Sequence, residues 1–282
     1  MFIGRNTEKR PQSEDGPGRI SASWATAALI AVACAALIGL EASHIIQQRG
    51  DVLADGRKDT TNLAGSLIRH AELTFRVADT LLSGAVERLE HDGLDPQGRE
   101  RLKSWFQQEA SHSSQFLGFT ILDRDGATFV DWLGHTANSG YSGRDYFIYH
   151  QTHADRDIRI GAPIYGRVTQ GWLIPVTRRF DRADGSFGGV VVAAINPKYF
   201  QDFYDRLQIG ENGAIVLALP SGELLVRRPF AESNIGGDFS QSGIFGRLQQ
   251  SPLGTAEITA STDGVTRIDS YELGQSYPVV IA

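Results

Sequence analysis

The sequence predicts an α+β protein: a long N-terminal helix followed by two mixed modules of antiparallel sheet flanked by helices, preceded by one membrane span. Three observations predict it. Residues 20–40 carry no charged side chain. Apolar residues then continue at helical spacing, with no proline between Glu41 and Asp95. Beyond Phe116, the order hairpin, helix, hairpin occurs twice.

The first element is the run "ISASWATAALIAVACAALIGL", which at about 1.5 Å rise per residue reaches roughly 30 Å, the thickness of a hydrocarbon core. A secretory signal peptide has the same basic flank and alanine content. Its apolar core, however, runs only about 7 to 15 residues, and no small-x-small cleavage site follows here. Arg5, Lys9, Arg10 and Arg19 precede the span, whereas only Arg49 stands in the stretch just after it. The expected topology is therefore a cytoplasmic tail over 1–19, an inner-membrane helix over 20–40 and residues 41–282 in the periplasm.

A long signalling helix is expected over 41–92, with Leu63, Leu67, Ile68, Ala71, Phe75, Leu81, Leu82, Val86 and Leu89 in helical register. Both of its faces carry apolar residues in places. Part is expected to pack on its own domain and part on a second copy, with Leu63, Leu67 and Leu81 at or near a parallel helix interface of a homodimer. "HDGLDP" ends this helix. Asp95 as N-cap and Pro96 as first helical residue open a short second one through Leu102, Trp105 and Phe106.

Short β-rich runs follow, turning at Asp125-Gly126, Asp184-Gly185, Ser221-Gly222 and Asp263-Gly264. Helical stretches are expected at about 143–153 and 239–249. The two modules are assigned to 93–210 and 211–282, joined near "PKYFQDFYDRLQ". The final "SYPVVIA" reads as a strand, with a second span and an output domain expected beyond it.

The formal net charge of −6 leaves no basic footprint for nucleic acid. Cys34, the only cysteine, lies inside the span, so no disulfide framework, CxxC metal site or thiol nucleophile is available outside it. Neither GxSxG nor HExxH occurs, and no enzyme activity or cofactor is expected. Metal is not expected either: His150 and His153 lack an ExxH partner, and "DRDG" at 123 has Leu133 and Gly134 where a calcium loop needs its last acidic ligand. "IGGDF" at 235–239 is similar to a cyclase signature, but only about forty residues follow, and Asp238 reads instead as the start of a helix containing Ile244, Phe245 and Leu248.

What remains is a concentration of cationic and aromatic residues. "SGRDYFIYHQTH" and "QGWLIPVTRRF" place Arg144, Arg178 and Arg179 where two segments can converge on one anion, with Tyr146, His150, Trp172 and Thr177 as neutral donors or walls. On a strand Arg178 and Arg179 face opposite ways, and parity puts Arg178 with Trp172 and Ile174. Each residue also has a plainer role: Asp145 as N-cap with Arg144 as its surface partner, Tyr146 and Phe147 as core fillers, His150 as a satisfied core histidine.

The runs "GRDYFIYH", "IGAPIYGRVTQGWLIPVTRRF" and "DGSFGGVVVAAINPKYFQDFY" resemble the membrane-distal module of double Cache (PDC-like) sensor domains, of the type at the N-terminus of bacterial membrane-bound diguanylate cyclases. The resemblance extends from about Thr60 to Ala282. It implies a long helix carrying two stacked modules, a small extracellular ligand in the distal one, and a cytoplasmic output, a diguanylate cyclase or alternatively a histidine kinase or chemoreceptor. A ligand-free structural dimerisation domain is the remaining alternative. Arg144 followed by Tyr146 and Phe147 matches the amino-acid-binding members of the family. Ala194 stands where those members carry the aspartate that takes the ammonium group, which implies a small carboxylate without an obligatory amine.

Overall fold

The computed structural model describes residues 19–282 except 94, 111–112, 133–139, 167–168 and 261. The N-terminal tail before Arg19, and the Leu133 and Gly134 positions weighed for calcium, lie outside the described residues. The chain divides into two compact units, residues 1–55 and 56–282.

In the first unit, every described side chain from Trp24 to Asp55 is exposed, and all belong to helix α1 (Arg19–Asp92). This stretch is long and apolar enough to cross a membrane.

In the second unit, α1 buries Ala64, Leu67, Ile68, Ala71, Phe75, Ala78, Leu82, Ala85, Val86 and Leu89. The steps of three and four put these on one stripe of the helix, and that stripe closes the main core. Leu67 and Leu81 thus belong to the chain's own core and are not available to a partner helix, a correction to the interface expected above. Leu63 also packs against that core. The apolar residues that α1 leaves exposed here are Leu73 and Val77, because they fall off the stripe. Helix α2 (Pro96–Ala110) starts as expected, with Asp95 accepting from the backbone N–H of Gly98.

Two wholly antiparallel sheets follow. The first contains β1 (Phe116–Asp123), β2 (Thr128–Asp131), β3 (Arg159–Ile160), β4 (Ile164–Tyr165), β5 (Trp172–Asp181) and β6 (Phe187–Ile195). Its order is β2-β1-β6-β5-β3, with β4 also on β5. Helix α3 (Asp145–Thr152) lies between β2 and β3 in the chain. Helix α4 (Pro197–Tyr204), capped by Asn196 accepting from the Lys198 N–H at 3.0 Å, leads out of this sheet.

The second sheet contains β7 (Ile215–Ala218), β8 (Leu224–Arg228), β9 (Leu253–Thr259), β10 (Thr266–Leu273) and β11 (Val280–Ile281), in the order β8-β7-β11-β10-β9. Helix α5 (Gly243–Leu248) lies between β8 and β9. Apart from β4, this strand order repeats that of the first sheet: the last strand of each module inserts between the first strand and the one before it. The predicted helix start at Asp238 is corrected to Gly243. Residues 237–239 are held to the β8 hairpin, with Leu224 N–H donating to Gly237 (3.0 Å) and Phe239 N–H to Gly222 (2.9 Å), so the backbone cannot turn helical until beyond Ser242.

All four turn glycines, Gly126, Gly185, Gly222 and Gly264, have positive φ. Gly126 and Gly222 also meet a second constraint. A Cβ there would lie 2.6 Å from the Ser142 nitrogen and 2.4 Å from the Ser240 nitrogen respectively, where the segment leading into the next helix crosses the hairpin.

The modules and α1 share one polar junction. Asp79 of α1 accepts from the Arg178 guanidinium of β5 and, at 3.1 Å, from the Tyr277 hydroxyl beside β11.

Candidate ligand-binding site

The inner face of the first sheet, opposite α1, forms the floor of a cavity of about 60 Å³. Strand pairing sets the floor: Gly118 opposite Ala194 and Thr120 opposite both Val192 and Asp131. Asp131, Tyr141, Arg144, Tyr146, Thr169 and Leu173 complete the lining.

Arg144 occupies the N-cap position of α3 in extended conformation, at φ −80° and ψ 140°, and its side chain makes no capping bond. Asp145 is the first helical residue instead of the cap, because the Arg144 carbonyl already accepts from the N–H groups of Phe147 and Ile148 at 2.9 and 3.0 Å. The guanidinium has no hydrogen-bond or ion-pair partner among the described residues. It also borders an open cleft of about 420 Å³ facing Leu219, Ser221, Glu223 and Pro278 of the second module. A half-buried guanidinium at the meeting point of a cavity and an open cleft offers two parallel donors to an incoming carboxylate.

The other sequence candidates sit elsewhere. Parity along β5 is as expected, but the face carrying Ile174, Val176 and Arg178 is the one packed on α1. Arg178 is therefore consumed by Asp79, 99 residues earlier in the chain. Thr177 and Arg179 share the opposite face with the cavity but lie beyond its end. Thr177 is fully buried and hydrogen-bonded to His150 Nε2 at 2.9 Å. Arg179 donates to Asp181 (2.6 Å) and to the carbonyls of His150 (2.8 Å) and His153 (3.1 Å), holding the C-terminal end of α3 onto the sheet. His150 is wholly buried, and this burial pushes its imidazole down to about 4, so it is neutral at physiological pH. Trp172 donates to Glu232 at 3.2 Å and packs edge-on against Tyr165; its neighbour Leu173 is the one that lines the cavity. Of the seven candidates, the structure brings only Arg144 and Tyr146 to the cavity.

Asp131, Thr120, Tyr141 and Thr169 were missed. Tyr141, three residues before Arg144, was within reach of a sequence argument. Asp131 was not, because only the β1–β2 register carries it opposite Thr120. Its carboxylate shares the cavity with Ala194, the position at which the sequence shows no ammonium acceptor.

The description "Histidine kinase sensor domain" (dCache_1-like) matches residues 197–282. No curated protein matches the chain. Among solved structures, the extracellular domain of rpHK1S-Z16, described as a histidine kinase, is 33% identical with a TM-score of 0.73, over 81% of this chain and 93% of that one. The ligand-binding domain of the Pseudomonas fluorescens chemoreceptor CtaA, in complex with L-isoleucine, has 17% identity, a TM-score of 0.61 and coverage of 83% and 93%. That of Mlp24 with asparagine has 16% identity, a TM-score of 0.60 and coverage of 83% and 92%. The last two share the fold. With the rpHK1S-Z16 identity running through both modules and the doubled sheet order described above, the chain belongs to the double Cache family of extracellular sensor domains.

Proposed function

We propose that the chain is the periplasmic sensing region of a bacterial transmembrane receptor that takes a small carboxylate at Arg144 of the distal module, residues 93–210. The observation that carries this reading is the Arg144 guanidinium, without a hydrogen-bond or ion-pair partner among the described residues, at the edge of a cavity whose floor is sheet. Asp131 in the same lining favours, as a second reading, a ligand that also bears an ammonium group. The asparagine of Mlp24 and the L-isoleucine of CtaA are ligands of that type. Residues 20–40 would anchor the chain with its tail in the cytoplasm, and the proximal module, 211–282, would stand nearer the bilayer. For the output, the rpHK1S-Z16 likeness supports a histidine kinase over the diguanylate cyclase expected from sequence.

Calorimetric titration of the chain in nanodiscs with matched pairs, alanine against propionate and asparagine against succinamate, tests both parts. Binding of at least one carboxylate is expected, and Arg144→Ala should weaken it by about 2 kcal/mol, roughly thirtyfold in Kd. Asp131→Asn should narrow the gap between amine-bearing and amine-free members of a pair. Undiminished binding in Arg144→Ala would remove the carboxylate assignment, and equal affinity within pairs for the wild type would remove Asp131 from it.

A further inference from the structure

The proximal module contains the same cavity at the same place in its own sheet, with its chemistry changed. The correspondence is set by hydrogen bonds. Gly126 accepts from Tyr141 N–H (3.3 Å) and Tyr141 accepts from Arg144 N–H (2.9 Å); Gly222 accepts from Phe239 N–H (2.9 Å) and Phe239 accepts from Ser242 N–H (2.8 Å). Phe239 therefore stands for Tyr141, Ser242 for Arg144 and Ile244 for Tyr146. Across the hairpins, Thr120 pairs with Asp131 and Val216 pairs with Arg227, so Val216 stands for Thr120 and Arg227 for Asp131.

All five replacements line a cavity of about 70 Å³. That is several times the roughly 10–15 Å³ a single water requires. Three of the four uncharged or cationic hydrogen-bonding positions have become apolar. The fourth, the arginine at the helix N-cap, has become a serine whose side chain makes no cap bond.

The polar end of this cavity is built around one buried guanidinium. Arg227 is 7% exposed and donates to the Pro229 carbonyl (3.0 Å), the Thr262 hydroxyl (3.0 Å) and Asp263 (2.9 Å), while its buried Nε–H has no partner among the described residues. Arg267 takes both oxygens of the same Asp263 at 2.9 Å. Asp269, next on that face of β10, also lines the cavity, and burial pushes its carboxyl above the usual range. Two guanidinium groups, Arg227 and Arg267, thus face two carboxyl groups, Asp263 and Asp269, and the formal charge of the wall cancels. An ion of either sign entering here would be stripped of water without a net counter-charge, whereas an uncharged molecule loses little. A guanidinium at one end of a mostly apolar cavity selects for an acceptor atom on such a molecule.

We propose that the membrane-proximal module is a second ligand site, for a small uncharged aliphatic molecule whose carbonyl-type oxygen accepts from the Arg227 guanidinium while its alkyl part lies against Val216, Phe239, Ile244 and Val280. This goes beyond the distal reading and is independent of it. The receptor would report a carboxylate through one module and a neutral apolar compound through the other.

The test is ligand-observed NMR and calorimetry on the chain in nanodiscs with three isosteric probes: butyramide, butyrate and butyramidinium. In the Arg144→Ala chain, which lacks the distal carboxylate contact, butyramide should bind at least about tenfold more tightly than either ion. Ser242→Trp fills the cavity and leaves the Arg227, Arg267 and Asp263 network intact, so it should abolish butyramide binding with the fold retained by circular dichroism. Arg227→Met should weaken it by about tenfold or more. Arg144→Ala should leave it unchanged, which separates this site from the distal one. Absence of butyramide binding to the folded wild type, equal binding of an ion to the Arg144→Ala chain, survival of butyramide binding in Ser242→Trp, or its loss in Arg144→Ala would each overturn the proposal.

Discussion

The two modules have one architecture and two interiors. In each, a glycine turn is crossed by the segment that opens a helix, and that helix lies over a sheet whose last strand is its centre. In the distal module, the corresponding positions that line the cavity are Thr120, Asp131, Tyr141, Arg144 and Tyr146; in the proximal one they are Val216, Arg227, Phe239, Ser242 and Ile244. The backbone that builds a Cache cavity thus constrains glycine and sheet order but leaves ligand chemistry to about five side chains. This is the general separation of scaffold from site, seen twice within one chain.

The largest effect expected from breaking this comparison is at the equivalent helix anchors, Phe147 and Phe245. Phe147 is wholly buried among Leu122, Val190 and Phe187, whereas Phe245 is 7% exposed and borders a cavity. Phe147→Ala should cost about 4 kcal/mol, and Phe245→Ala measurably less, because an existing void shares the loss. Denaturant unfolding of both variants checks this, and an equal or reversed order would mean that the proximal cavity is closed in solution.

Next comes pH. Only the distal module buries a histidine under its helix. Its folded-state value of about 4 lies below the 6.5 of an unperturbed imidazole, so between these values the unfolded chain binds a proton that the folded chain does not. Stability should be complete above about pH 6.5, fall as the pH drops toward 4, and lose nothing further from this group below that. The loss is on the order of 3 kcal/mol. His150→Gln, which keeps a hydrogen-bonding group near Thr177, should flatten the thermal midpoint between pH 4.5 and 7; a profile as steep as wild type would assign the titration to another group.

Two arginines on the same side of the distal sheet should then separate cleanly. Arg179→Ala removes donors from two carbonyls and Asp181, and should lower stability by about 2 to 3 kcal/mol. Arg144→Ala should leave the thermal midpoint unchanged while costing affinity, as stated above. A variant pair that moved both quantities together would show Arg144 to be part of the scaffold.

The smallest effect is a gain. Tyr204, at the end of α4 between the modules, is wholly buried, its hydroxyl has no partner among the described residues, and burial pushes its ionisation far up. Tyr204→Phe should raise stability by about 1 kcal/mol, since a desolvated hydroxyl is removed without a cavity. Destabilisation on chemical unfolding would reveal a bound water or ligand at that oxygen.

Local chemistry sufficed wherever the constraint was local. The uncharged run, the stripe from Ala64 to Leu89, the Asp95 cap, the Asn196-Pro197 helix start and the four turn glycines are all written within a few neighbouring residues, so the α+β class and the doubled order could be read directly. Arg144 and Tyr146 were legible for the same reason, as the opening of one helix. Tertiary structure decided which face of β5 meets α1, and with it that Arg178 is spent on Asp79 while Arg179 braces the far end of α3. It also decided that a two-residue strand, Val280–Ile281, becomes the centre of the second sheet, and that Asp131 and Arg227 occupy matching places in two cavities. Strand parity specifies that two side chains point to opposite faces but not what covers either face, and a charged group's role depends on a partner that chain folding delivers from about a hundred residues away.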